Sequence, residues 1–109
     1  MNVEFASAKL QKLCSTEKEL IRRFGSDGGR MTMRRLQQLE AAPTLAAMRE
    51  LPGHCHELTG DRSGQLALHL VEPYRLVFKP RCPVPVTPDG SLDWDGVTAV
   101  VVLGIVDYH

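Results

Sequence analysis

The apolar periodicity of this chain changes once, near Leu51-Pro52-Gly53, and that change most limits what it can fold into. Before it the spacing is mostly helical; after it the spacing is that of strands, so the sequence implies helices laid against one side of a sheet. Val3 and Phe5 alternate as a short first strand would. Ala8, Leu10, Leu13, Leu20, Ile21 and Phe24 then fall at helical spacings, and Thr16 stands three residues before Glu19 as in a capping box. Gly25-Ser26-Asp27-Gly28-Gly29 reads as a helix break. A second helix is expected from about Arg30 to Ala41, and a short third one from Pro43-Thr44 through Met48. The narrow stripe of Met33, Leu36 and Leu39 suits packing on a sheet and leaves Arg30, Arg34 and Arg35 to solvent or a partner.

Beyond Pro52, His56-Glu57-Leu58 leads into a turn at Gly60-Asp61-Arg62-Ser63-Gly64. Leu66, Leu68 and Leu70 then alternate with Gln65, Ala67 and His69, and Tyr74, Leu76 and Phe78 alternate with Arg75, Val77 and Lys79. Pro80, Pro83, Pro85 and Pro88 each lack a ladder donor, so residues 80–96 read as a long irregular loop. The continuous apolar run Val97–Val106 implies a last strand buried on both faces. The expectation is one α+β domain spanning residues 1–109.

Charge excludes some functions. Thirteen basic and thirteen acidic side chains cancel, which argues against a protein that coats nucleic acid by charge alone. The distribution is uneven: residues 1–50 hold nine Lys/Arg against six acids. Three cysteines at irregular spacing, Cys14, Cys55 and Cys82, fit reduced thiols better than a disulfide framework. With neither a secretion signal nor an apolar run of membrane-spanning length, a cytoplasmic protein is expected.

Several motifs carry little. The Gly25–Gly29 segment lacks the Gly-Lys-Ser/Thr ending of a phosphate loop, and Asp89, Asp93 and Asp95 have the wrong spacing for calcium. His54-Cys55-His56 with Cys82 is a poor zinc set, because on a strand the central Cys points away from its neighbours. Neither metal nor cofactor is expected. What remains is Arg62 in a turn, Arg75 on a strand, and Asp107-Tyr108-His109 following the last strand. Cleaving RNA without a metal needs a group to take the 2′-hydroxyl proton, a cation on the phosphate and a group to protonate the leaving oxygen. Histidine and arginine supply such groups. Strand alternation would put Asp107 and His109 on one face and Tyr108 on the other.

Residues 51–65 (Leu-Pro-Gly-His-Cys-His-Glu-Leu-Thr-Gly-Asp-Arg-Ser-Gly-Gln), Pro73-Tyr74-Arg75-Leu76-Val77-Phe78 and Gly104-Ile105-Val106-Asp107-Tyr108-His109 together resemble the HigB-type toxins of the RelE/ParE superfamily. The resemblance implies a small fold of N-terminal helices on a mostly antiparallel sheet, acting as the toxin of a type II toxin–antitoxin pair. It implies a ribosome-dependent endoribonuclease that cuts messenger RNA and is held silent by a HigA-like antitoxin, which itself binds DNA. By that resemblance Arg75, Asp107, Tyr108 and His109 are catalytic, with Arg62 and Lys79 on the RNA. Thr59 and Ser63 stand where family members commonly carry lysines, which weakens the expected electrostatic grip on RNA. A ParE-like gyrase inhibitor and a non-catalytic antitoxin-binding relative are the alternatives. The basic cluster Arg22, Arg23, Arg34 and Arg35 is the expected dock for an acidic antitoxin segment.

Overall fold

The computed structural model describes residues 1–107. The strands are β1 (Asn2–Phe5), β2 (His56–Glu57), β3 (Leu66–His69), β4 (Tyr74–Pro80) and β5 (Ala99–Asp107), and the helices are α1 (Ala8–Cys14) and α2 (Glu17–Ala41). Short 3-10 turns occupy Leu45–Glu50, Gly60–Arg62 and Trp94–Gly96. All five strands form one sheet in the order β1-β5-β4-β3-β2, with β1 parallel to β5 and every other pairing antiparallel. The α+β architecture is therefore the one the periodicity implies.

One face of the sheet carries the core. Leu66 and Leu68 of β3, Leu76 and Phe78 of β4 and Val100 and Val102 of β5 are fully buried in a cluster with Leu20, Leu36 and Leu39 of α2 and with Leu45 and Met48. Each such side chain contributes roughly 1.5–3 kcal/mol through burial. The other face is different in kind. Ala67 and Val77 are buried on it but stand outside that cluster, while Val101 and Leu103 are only half-buried. The double burial expected of β5 is thus not found, because the helices cover the sheet from one side.

The helical layer corrects two expectations. The break at the glycine-rich segment is confined to Gly25, which has φ 82 and ψ 171, and Gly28 and Gly29 lie within the helix and are buried. These two glycines are there for proximity. The chain folds back at Gly25 so tightly that a Cβ on Gly29 would sit 2.4 Å from the Ile21 backbone nitrogen, and one on Gly28 3.0 Å from Phe24 Cβ. Thr16 does cap α2, its hydroxyl accepting from the Glu19 amide at 3.2 Å.

The second correction is Arg35. It is only 7% exposed, and its Nε donates to the His69 carbonyl at 3.2 Å while Nη1 donates to Gln38 Oε1 at 3.1 Å. It is a strut between α2 and the end of β3, with its aliphatic stem in the core layer. Burial and the neighbouring Arg34 lower its pKa from the ordinary value. Gly53, at φ 112, makes room for it, since a Cβ there would lie 2.9 Å from Arg35 Nε.

The proline-rich segment is more ordered than its composition suggests. Val86 and Leu92 pair across a turn in which the Thr87 amide donates to the Ser91 carbonyl at 2.8 Å. Trp94 then packs into the core, donating its indole N–H to Glu57 Oε2 at 3.2 Å, with the Arg49 guanidinium 3.8 Å from its ring centre. Among the described residues no helix is long and apolar enough to cross a membrane.

Candidate active site on the open face of the sheet

Register decides which side chains meet. Residues directly opposite in neighbouring antiparallel strands share a face. Arg75 of β4 is opposite His69 of β3 and Val106 of β5, so these three share the face away from the helices. His56 is opposite Ala67, two residues along β3 from His69 and therefore on that face too. Gly104 is opposite Val77, and a Cβ built on it would meet nothing within 4 Å. This end of the face is open.

Here the structure gathers three histidines that sequence reasoning did not group. The rings of His54 and His56 stack with centroids 4.7 Å apart, and His69 meets them edge-on at 5.2 and 5.9 Å. His54 has φ 50, a left-handed conformation unusual outside glycine, and follows Gly53 at φ 112. The signal was present as His-x-His, since two residues apart on a strand means one face. Recruiting His69 required the β2–β3 register, which no local pattern states. Cys55 points to the core as expected, and burial pushes its thiol up to about 12. Cys82 is remote, lying beyond Pro80 at the end of β4 opposite Arg75.

The surroundings of His69 favour its neutral imidazole. Burial, then the Arg75 charge and the two neighbouring rings, lower the His69 pKa below its ordinary value, against a smaller upward pull from Glu72. Arg75 itself is restrained: Nη2 pairs with Glu72 Oε1 at 3.1 Å and Nη1 donates to the Tyr74 carbonyl at 2.9 Å. Its side chain is 16% exposed while that of Glu72 is 72% exposed. Glu72 therefore holds the guanidinium from the solvent side and leaves it other N–H groups to offer an anion.

The remaining candidates separate. Lys79 is exposed on β4 opposite Val101, four residues from Arg75 and so about 13 Å along the strand. Arg62 lies in the Gly60–Arg62 turn that closes the β2–β3 hairpin, with Nη1 donating to Gln65 Oε1 at 3.1 Å. Arg62 and Lys79 thus mark the end of the sheet away from the histidines. Asp107 is opposite Tyr74, whose ring meets Phe24 of α2 edge-on at 5.0 Å. Its register position is therefore on the helix-covered face, across the sheet from Arg75. Tyr108 and His109 lie outside the described residues.

Comparison of the sequence with known protein families and with curated proteins gives no match. Among solved structures, the chain is similar to a chain of the YoeB–YefM complex from Staphylococcus aureus, with a TM-score of 0.56 at 13% sequence identity. The likeness covers 100% of this chain and 97% of that one. It establishes the fold, a small α+β domain with helices packed on one side of a mostly antiparallel sheet.

Proposed function

We propose that this chain is the toxin of a type II toxin–antitoxin pair, a metal-independent endoribonuclease that cuts messenger RNA on the ribosome. The observation that carries the reading is the cross-strand pairing of Arg75 with His69 on the open face: a phosphate-binding fork beside an imidazole that can move a proton. Arg75 neutralises charge building on the scissile phosphate, where such a contact acts in the transition state. His69 and His109 are the groups for the two proton transfers, removal from the 2′-hydroxyl and donation to the leaving oxygen. Tyr108 stacks on a base, and Asp107 steadies the end of β5. Arg62 and Lys79, farther along the sheet, hold the phosphate backbone and set register without reading sequence.

A cytoplasmic location follows from a ribosomal substrate. The partner is a HigA-like antitoxin that contacts DNA on the pair's behalf. Support comes from the HigB-like sequence blocks and from a fold neighbour solved as a complex of two proteins. The test is a reconstituted translation reaction with purified chain, read by mapping messenger 5′ ends, beside a gyrase supercoiling assay. Cleavage that slows about 10²–10⁴-fold in His109→Gln supports the reading. Blocked supercoiling with intact messenger overturns it in favour of gyrase inhibition.

A further inference from the structure

We propose that His54, His56 and His69 together bind one zinc ion on the open face of the sheet. One ligand nitrogen from each of the three side chains lies within 4.8 Å of the other two. Tetrahedral zinc with bonds of about 2.0–2.1 Å needs its nitrogens roughly 3.4 Å apart, so the rings must close by a little over an ångström. They have that freedom: His54 is exposed, and His56 and His69 are half-buried.

Three features favour a metal over a plain ring stack. First, the His56 Nδ1 lies 2.7 Å from the His54 carbonyl, so that nitrogen carries the hydrogen and donates it. That leaves Nε2 to take a metal, since a hydrogen bond from the other ring nitrogen is how metal-binding histidines are held in one tautomer. Second, no ring nitrogen of His54 or His69 is hydrogen-bonded to another described residue, so both stand available as ligands. Third, the backbone is bent to assemble the set, with successive left-handed residues at Gly53 and His54 turning His54 onto His56.

The donor chemistry selects the ion. Three imidazoles with no carboxylate suit a borderline transition metal rather than magnesium or calcium. Zinc takes three protein ligands and keeps its fourth position for an exchangeable water. Arg75, across from His69, opposes a cation there, and its ion pair with Glu72 at 3.1 Å offsets part of that repulsion. The site is distinct from the His54-Cys55-His56 set with Cys82, since Cys55 faces the core and Cys82 is at the other end of β4. It stands independently of RNA cleavage, although a bound ion and a transferable proton exclude one another at His69.

The experiment is calorimetric titration of the chelator-treated full chain with Zn²⁺ alone at neutral pH, followed by Co²⁺ with its absorption spectrum recorded. The expected result is one ion per chain and a tetrahedral cobalt spectrum. His54→Asn, which keeps a residue tolerant of the left-handed backbone, and His56→Ala should each weaken binding by at least about 100-fold, with the urea midpoint of the metal-free chain unchanged. Cys82→Ala should bind as the parent does. No uptake, uptake indifferent to both histidine substitutions, or uptake lost with Cys82 would each overturn the proposal.

Discussion

The two faces of the sheet are built from the same strands by opposite means. Leu66, Leu68, Leu76 and Phe78 point to the helices and are fully buried, and their partners on α2 are leucines at helical spacing. The open face takes the residues between them: His56 next to Glu57, His69 next to Leu68, Arg75 next to Leu76. Burial is a local property repeated along each strand. The candidate site is a coincidence of register, because its members come from β2, β3 and β4 and meet only when those strands pair as they do. The division predicts that substitutions on the buried face cost stability, while those on the open face cost the proposed chemistry with little change in stability.

The largest expected effect breaks the buried face. Leu68→Ala should cost about 2–5 kcal/mol in urea unfolding, whereas Lys79→Ala on the exposed side should stay within about 0.5 kcal/mol. Equal costs would mean that the faces are not divided as described. Next comes the fold-back of the helical layer. Gly29→Val places a Cβ against the Ile21 backbone and should cost about 1–3 kcal/mol, read as a lower thermal midpoint. Gly90→Ala, where nothing lies within 4 Å of the new Cβ but φ is +88, should cost roughly 1 kcal/mol, so steric crowding and backbone strain are measured separately.

How much of this was legible in the sequence divides along the same line. The leucine alternation in β3 and β4 and the Thr16 cap could be read from spacing, because each depends on residues within a few positions of one another. Arg35 could not: its charge suggests solvent, and only the arrival of the His69 carbonyl beneath α2 makes a buried guanidinium tolerable. Gly28 and Gly29 were ambiguous for a related reason, since a glycine that ends a helix and one that lets a helix be approached look alike in one dimension. Of the site, Arg75 was visible through the resemblance, whereas grouping His54, His56 and His69 needed the β2–β3–β4 register. Tyr108 and His109, which the resemblance also implied, lie outside the described residues. Asp107 takes a register position across the sheet from Arg75.

The smallest effect concerns the thiols. Burial raises Cys14 to about 11 and Cys55 to about 12 from an ordinary 9.0, so folding favours their protonated form. Their contribution is therefore complete below pH 9.0 and is lost as pH rises through the range up to about 12. Unfolding midpoints should fall gently over that interval, and fall less in Cys55→Ser, where only Cys14 still titrates this way. The exposed Cys82 should react with a thiol reagent at neutral pH well before the other two. Modification of Cys55 as fast as Cys82 would show that its side of the strand is open.

Neighbouring residues that face opposite ways give the most direct test of the central claim, that the chemistry belongs to the open face. Tyr74 and Arg75 are adjacent on β4, one against Phe24 and the other against His69. Single-turnover messenger cleavage on ribosomes should slow about 10²–10³-fold in Arg75→Gln, with an unchanged urea midpoint. Tyr74→Phe should cleave at close to the parental rate. Parental cleavage by Arg75→Gln, or a loss in Tyr74→Phe as large as that expected for Arg75→Gln, would contradict the account.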